Sequence, residues 1–136
     1  MPRQIATDIH WIYEQGPDRS EQFDFGSRDL DWYVDGHEAY IPQCAYLLEG
    51  DEETLLFDTL SPASTDHLLE TVDDILGDRE LDYLVVSHPD VPHAGNAVAI
   101  LEAYPDAELV APGYGNDHEL YQLGTATHVV EGDTID

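Results

Sequence analysis

Lysine is absent from this chain, and four arginines are its only permanently cationic side chains. Against them stand 30 aspartates and glutamates, for a formal net charge of −26. With no basic patch to neutralise phosphates, nucleic acid is not expected as a partner. An anionic membrane surface is disfavoured for the same reason. Cys44 is the only cysteine, so no disulfide can form within the chain and a reducing cytoplasm is the expected compartment. No apolar run approaches the length of a membrane span. The first fifteen residues carry Arg3, Asp8 and Glu14 and lack the apolar core of a signal peptide.

What is present points to a folded domain. Hydrophobic residues make up 42% of the 136, too many for a disordered chain, so the acid must decorate a folded surface. The charge runs from end to end rather than gathering in a tail. Such a surface repels itself at low ionic strength. The expectation is a halophilic protein whose repulsion is screened by molar salt.

Residues 5 to 13 read as a first strand, and 14 to 38 as a long polar loop. Strands follow at 39 to 48 and 54 to 57, joined by the turn Glu49-Gly50-Asp51-Glu52. Ser61-Pro62 opens a helix as N-cap and first-turn proline. Leu68, Leu69, Val72, Ile75 and Leu76 share one face of it, and Gly77 ends it. The run Leu81-Asp82-Tyr83-Leu84-Val85-Val86 reads as a buried strand. A helix over 97 to 104, a strand over 108 to 111, a short helix over 116 to 123 and a strand from Val129 complete the pattern. Alternation of this kind predicts a layered α/β domain.

The chemistry-bearing segment is Ser87-His88-Pro89-Asp90-Val91-Pro92-His93-Ala94-Gly95-Asn96, at the C-terminal end of that buried strand. Ligands and metals gather there in open α/β sheets. Imidazole and carboxylate together suit a divalent or iron centre, which makes His88, Asp90 and His93 the candidate metal ligands. Asp58, after the strand at 54 to 57, reads as a carboxylate that caps the next helix. His10 and His128 read as core or edge histidines, and His37, His67 and His118 as solvated ones. Cys44 reads as a small buried hydrophobe. Trp11, Trp32, Tyr33 and Tyr40 read as aromatic packing rather than a pocket mouth.

Strand, histidine motif, small residue, glycine and helix together resemble the metallo-β-lactamase fold. The acidic third position is similar to the flavodiiron branch, whose motif reads His-x-Glu-x-Asp-His-x-Gly. His88, Asp90, His93 and Gly95 occupy the first, third, last and glycine places, while Pro92 stands where the family has Asp and has no atom to ligate with. Leu55-Leu56-Phe57-Asp58-Thr59 resembles the family's strand ending in an Asp-Thr turn, and Glu131-Gly132-Asp133 resembles its late hairpin. At that turn the resemblance implies that Asp58 supports the metal loop by hydrogen bonds instead of capping the next helix. The resemblance implies a layered αβ/βα sandwich, of which residues 1–136 would be the N-terminal half, incomplete at the C terminus. A third histidine, a bridging aspartate and a last histidine would then come from the other half.

The resemblance leaves three functions open. One is a metal-dependent hydrolase acting on an unidentified small molecule with zinc or iron, in a site that holds either one ion or two given the loss at Pro92. Another is a flavodiiron-like oxidoreductase acting on O2 or NO, with FMN in an additional domain. The last is a non-catalytic relative that has lost its metal. Half of a sandwich would expose an apolar sheet face, so self-association as a homo-oligomer, or a partner, is expected unless more chain follows.

Overall fold

The computed structural model describes residues 2–13, 43–88, 91–112 and 127–129. Strands β1 (Arg3–Ala6) and β2 (Ile9–Tyr13) form a hairpin around Thr7 and Asp8. The sequence reading makes this one strand, because apolar residues flank both sides of the break. The polar Thr-Asp pair, a common turn composition, reverses the chain instead.

Strand β3 (Cys44–Glu49) pairs antiparallel with β2 and with β4 (Thr54–Phe57). Gly50 closes that second hairpin by donating to the Glu53 carbonyl at 2.8 Å. A Cβ at Gly50 would lie 2.9 Å from that same oxygen, which is why the turn takes glycine.

From β4 onward the chain changes habit. It passes through a short 3-10 turn at Pro62–Ser64 into helix α1 (Thr65–Leu76) and returns as β5 (Tyr83–Val85), parallel to β4. Helices α2 (Val91–Ala94) and α3 (Ala97–Ala103) lead to β6 (Glu108–Pro112), parallel to β5, and β7 (Thr127–Val129) pairs parallel with β6. The described strands form one mixed sheet in the order β1 to β7. The expected serine cap at the start of α1 is not made: neither Ser61 nor Ser64 forms a side-chain cap hydrogen bond. The 3-10 turn takes over the task of starting the helix.

Successive parallel crossovers of one hand put their helices on one face of a sheet. The core bears this out. Leu68, Val72 and Leu76 of α1 and Ala97 and Ile100 of α3 pack on Ile12, Ala45, Leu47, Leu56 and Leu84 of β2 to β5. These strand residues alternate with half-buried ones on the opposite face, among them Trp11, Tyr46, Phe57 and Val85. The two faces of the sheet are thus unequal: one is sealed by helices, the other partly covered. No helix among the described residues is long and apolar enough to cross a membrane.

The charge has a testable consequence for this fold. A chain of net charge −26 compacts against its own repulsion. Raising KCl from 0.2 M to 2 M shortens the screening length from about 7 Å to about 2 Å. The midpoint of thermal unfolding is expected to rise by several degrees across that range, read by circular dichroism. An unchanged midpoint would refute the salt-screening account.

Candidate metal site

Strands β4 and β5 run parallel with Phe57 opposite Val85, so the residues just beyond them emerge side by side. Asp58 lies on one exit and Ser87 on the other. The Asp58 N–H donates to the Val85 carbonyl at 2.8 Å, extending the ladder by one residue. The chain then turns sharply: Asp58 and Leu60 have φ of 64° and 59°. Aspartate tolerates the left-handed region better than most residues; leucine does not.

The Asp58 carboxylate is 7% exposed and holds three donors. Ser87 supplies its backbone N–H to Oδ1 at 2.8 Å, and its hydroxyl lies 2.8 Å from both carboxylate oxygens. His93 supplies Nδ1 to Oδ2 at 2.8 Å. A carboxylate accepts, so Nδ1 carries the proton and Nε2 keeps its lone pair for a further partner. In the structure the Asp58 carboxylate bonds the histidine segment, and the helix after it has no side-chain cap.

His93 sits in α2, a four-residue helix within what the sequence presents as a plain loop. Its carbonyl accepts the Thr59 N–H at 2.8 Å and the Thr59 hydroxyl at 2.7 Å. The turn after β4 and the histidine segment are therefore stitched together from both the backbone and the side chains. His88 is exposed, and its ring centroid lies 5.6 Å from that of His93, tilted by 60°. Asp90 lies outside the described residues. Among the described residues, no three His, Cys, Asp or Glu side chains gather closely enough to hold a metal ion. Two imidazoles, one with its tautomer set by a carboxylate, suit a metal as donors but make an incomplete ligand set on their own.

Tyr46 of β3 borders this end of the sheet. Its hydroxyl is pushed above the usual tyrosine range, first by burial and then by Cys44 and Asp58 nearby. Cys44 itself is half-buried rather than enclosed, because it opens β3 at the sheet's end instead of lying at its centre. His67 is not merely solvated: its Nε2 lies 3.0 Å from the Tyr13 carbonyl, tying α1 to the end of β2. His10 lies on β2, flanked by β1 and β3 and so not at a sheet edge, and pairs with Glu49 of β3 at 2.8 Å. Trp11 stacks at 4.6 Å on Tyr13 of the same sheet face. His37, His118, Trp32, Tyr33 and Tyr40 lie outside the described residues, as does the helix expected over 116 to 123.

Sequence reasoning passed over Ser87, Thr59 and Asn96 as site residues. Each is a small polar residue next to a strand end or helix start, where such residues are common for local reasons. Only the pairing of β4 with β5 shows that they converge.

The profile of the Metallo-beta-lactamase superfamily matches residues 41–131, and the chain belongs to that superfamily. Rubredoxin-oxygen oxidoreductase of Megalodesulfovibrio gigas is 32% identical over 95 residues, covering 67% of this chain and 23% of that protein. A coenzyme F420H(2) oxidase of Methanothermobacter marburgensis is 32% identical over 87 residues, 59% of this chain and 22% of that one. The solved structure of rubredoxin oxygen:oxidoreductase from Desulfovibrio gigas superposes with a TM-score of 0.73 at 24% identity, over all of this chain and 32% of that one. The chain thus spans a quarter to a third of the length of these relatives, and its fold is the metallo-β-lactamase-like one.

Proposed function

We propose that this chain supplies part of the metal centre of a flavodiiron-type oxidoreductase. His88, Asp90 and His93 would be its ligands, and Asp58 the group that orients His93. The observation that carries this reading is the 2.8 Å Asp58–His93 contact at the parallel-strand exit, with His88 beside it. Carboxylate-supported histidine is the usual arrangement of a ligating imidazole, since it sets the tautomer and strengthens the donor. The relatives named above are oxidoreductases, and the acidic third place of the motif agrees with their branch. A bound iron pair would supply electrons to a small oxidant such as O2. The chain's own contribution is to hold two imidazoles at the mouth of the sheet and to keep a proton on His93 Nδ1. Residues 1–136 would be the N-terminal portion of the metal domain, with FMN in a further domain of the complete protein.

Pro92 favours a second reading. Proline at the Asp place removes one ligand, which suits a single ion more than a pair. A lone zinc or iron held by His88 and His93 would supply Lewis-acid chemistry for hydrolysis of a small-molecule substrate. Elemental analysis and intact mass of the protein purified from its host decide between them. Two irons per chain with FMN, in a mass well above 15.2 kDa, is the expected result. One zinc without flavin would establish the hydrolase reading instead. Absence of any metal would overturn both and leave a non-catalytic relative.

A further inference from the structure

Asn96 is 2% exposed and belongs to none of the ligand sets above. It sits where α2 meets α3, and its carboxamide reaches across to the turn after β4. The Nδ2 group donates to the Thr59 carbonyl at 2.8 Å and to the Ser61 carbonyl at 2.7 Å. Those are the two carbonyls on either side of Leu60, the residue at φ 59°. Its Oδ1 faces the Thr65 hydroxyl, whose proton it shares with the Pro62 carbonyl 2.6 Å from that hydroxyl, and its backbone N–H donates to Thr59 Oγ1 at 3.0 Å. With both amide hydrogens engaged by carbonyls and the oxygen by a hydroxyl, only one orientation of the carboxamide satisfies every partner.

Leucine does not hold a left-handed φ unaided, and strained backbone persists only where surrounding contacts over-determine it. Here the Leu60 side chain is fully buried in the core, and Asn96 holds the carbonyls of the residues before and after it. Thr59, held in this way, is the residue that donates twice to the His93 carbonyl. Asp58, one residue earlier, is the carboxylate on His93 Nδ1. Release of the grip frees both ends of that arrangement together.

We infer that Asn96 is a positioning residue of the site, locking the left-handed turn 58–60 so that the Asp58 carboxylate stays on His93 Nδ1. The metal readout of this inference rests on His93 being a ligand; the tautomer readout does not. The test uses protein labelled with 15N-histidine, in salt that screens its charge, and follows the His93 ring nitrogens by NMR. Zinc(II) affinity is measured by titration of the same samples.

The wild-type ring is expected in the Nδ1–H form. Asn96→Ala is expected to mix the two tautomers and to weaken zinc(II) binding at least tenfold. Asn96→Asp keeps the size of the side chain but sets oxygen against the Thr59 and Ser61 carbonyls, and is expected to do more harm than alanine. Ile100→Val, a core deletion in α3, serves as a control that lowers the melting temperature while leaving every side-chain hydrogen bond of Asn96 in place. If Asn96→Ala matches Ile100→Val in tautomer and affinity, Asn96 is structural only and the inference is overturned. Should Asn96→Ala fail to fold, Thr65→Val, which strips the hydroxyl from Oδ1, is read the same way: a partial tautomer shift supports the inference and a wild-type spectrum overturns it. A wild-type chain that takes up no zinc would sink the ligand reading alone, and the His93 spectrum would still decide the role of Asn96.

Discussion

Asp58→Ala is expected to weaken metal binding by about 10- to 100-fold, the usual consequence of removing the carboxylate behind a ligating histidine. The same change should destabilise the fold by about 3 kcal/mol, because a buried acceptor with three donors disappears. Those donors, the Ser87 N–H, the Ser87 hydroxyl and His93 Nδ1, are all left at the exit of β4 and β5. Alanine also tolerates the left-handed φ of 64° less well than aspartate.

Asp58→Asn separates the two effects. Asparagine accepts the left-handed conformation and keeps one oxygen for Ser87, so the stability loss should shrink to about 1 kcal/mol. Its amide nitrogen cannot accept from Nδ1, so the metal affinity should fall nearly as far as in the alanine variant. Metal titration beside urea unfolding reads both quantities. Asparagine binding metal as the wild type does would show that the contact with His93 is without consequence for the site.

Leu56→Ala is expected to destabilise the fold by about 3 kcal/mol through packing alone. Leu56 is fully buried in the central strand β4 and meets the helices on the sealed face of the sheet. A loss of that size is a large part of the roughly 5–15 kcal/mol that holds a domain together. Its neighbour Leu55 points to the other face and is half-buried. Leu55→Ala should therefore cost only about 1 kcal/mol from lost burial. Urea unfolding in molar salt compares the pair, with the slope on denaturant expected to stay constant. Equal losses at the two positions would contradict the unequal burial of the two faces.

The contrast between Leu55 and Leu56 shows how much of the fold was legible beforehand. The β4 boundaries predicted from the pattern match the observed strand, Thr54–Phe57. The apolar face of α1 was visible too, since Leu68, Val72 and Leu76 recur at helical spacing and all are buried. The hairpin at Thr7-Asp8 was not visible, because hydrophobic spacing continues on both sides of two ordinary polar residues. Nor was the short helix α2, in a segment that reads as the loop leaving a buried strand.

The same division runs through the site. The residue types of the motif, its place after a buried strand, and the superfamily to which it points were determined by the sequence alone. Those are local properties: spacing, strand propensity and ligand chemistry survive in a linear chain. Which of Asp58's possible tasks it performs was decided by tertiary structure, through the parallel pairing of β4 with β5 that brings Asp58 to Ser87 and His93. So was the grip of Asn96 on a turn some 35 residues earlier in the chain. Hydrogen bonds between segments so far apart leave no periodic trace in composition, since each partner is an ordinary polar residue until the sheet register sets it opposite the other.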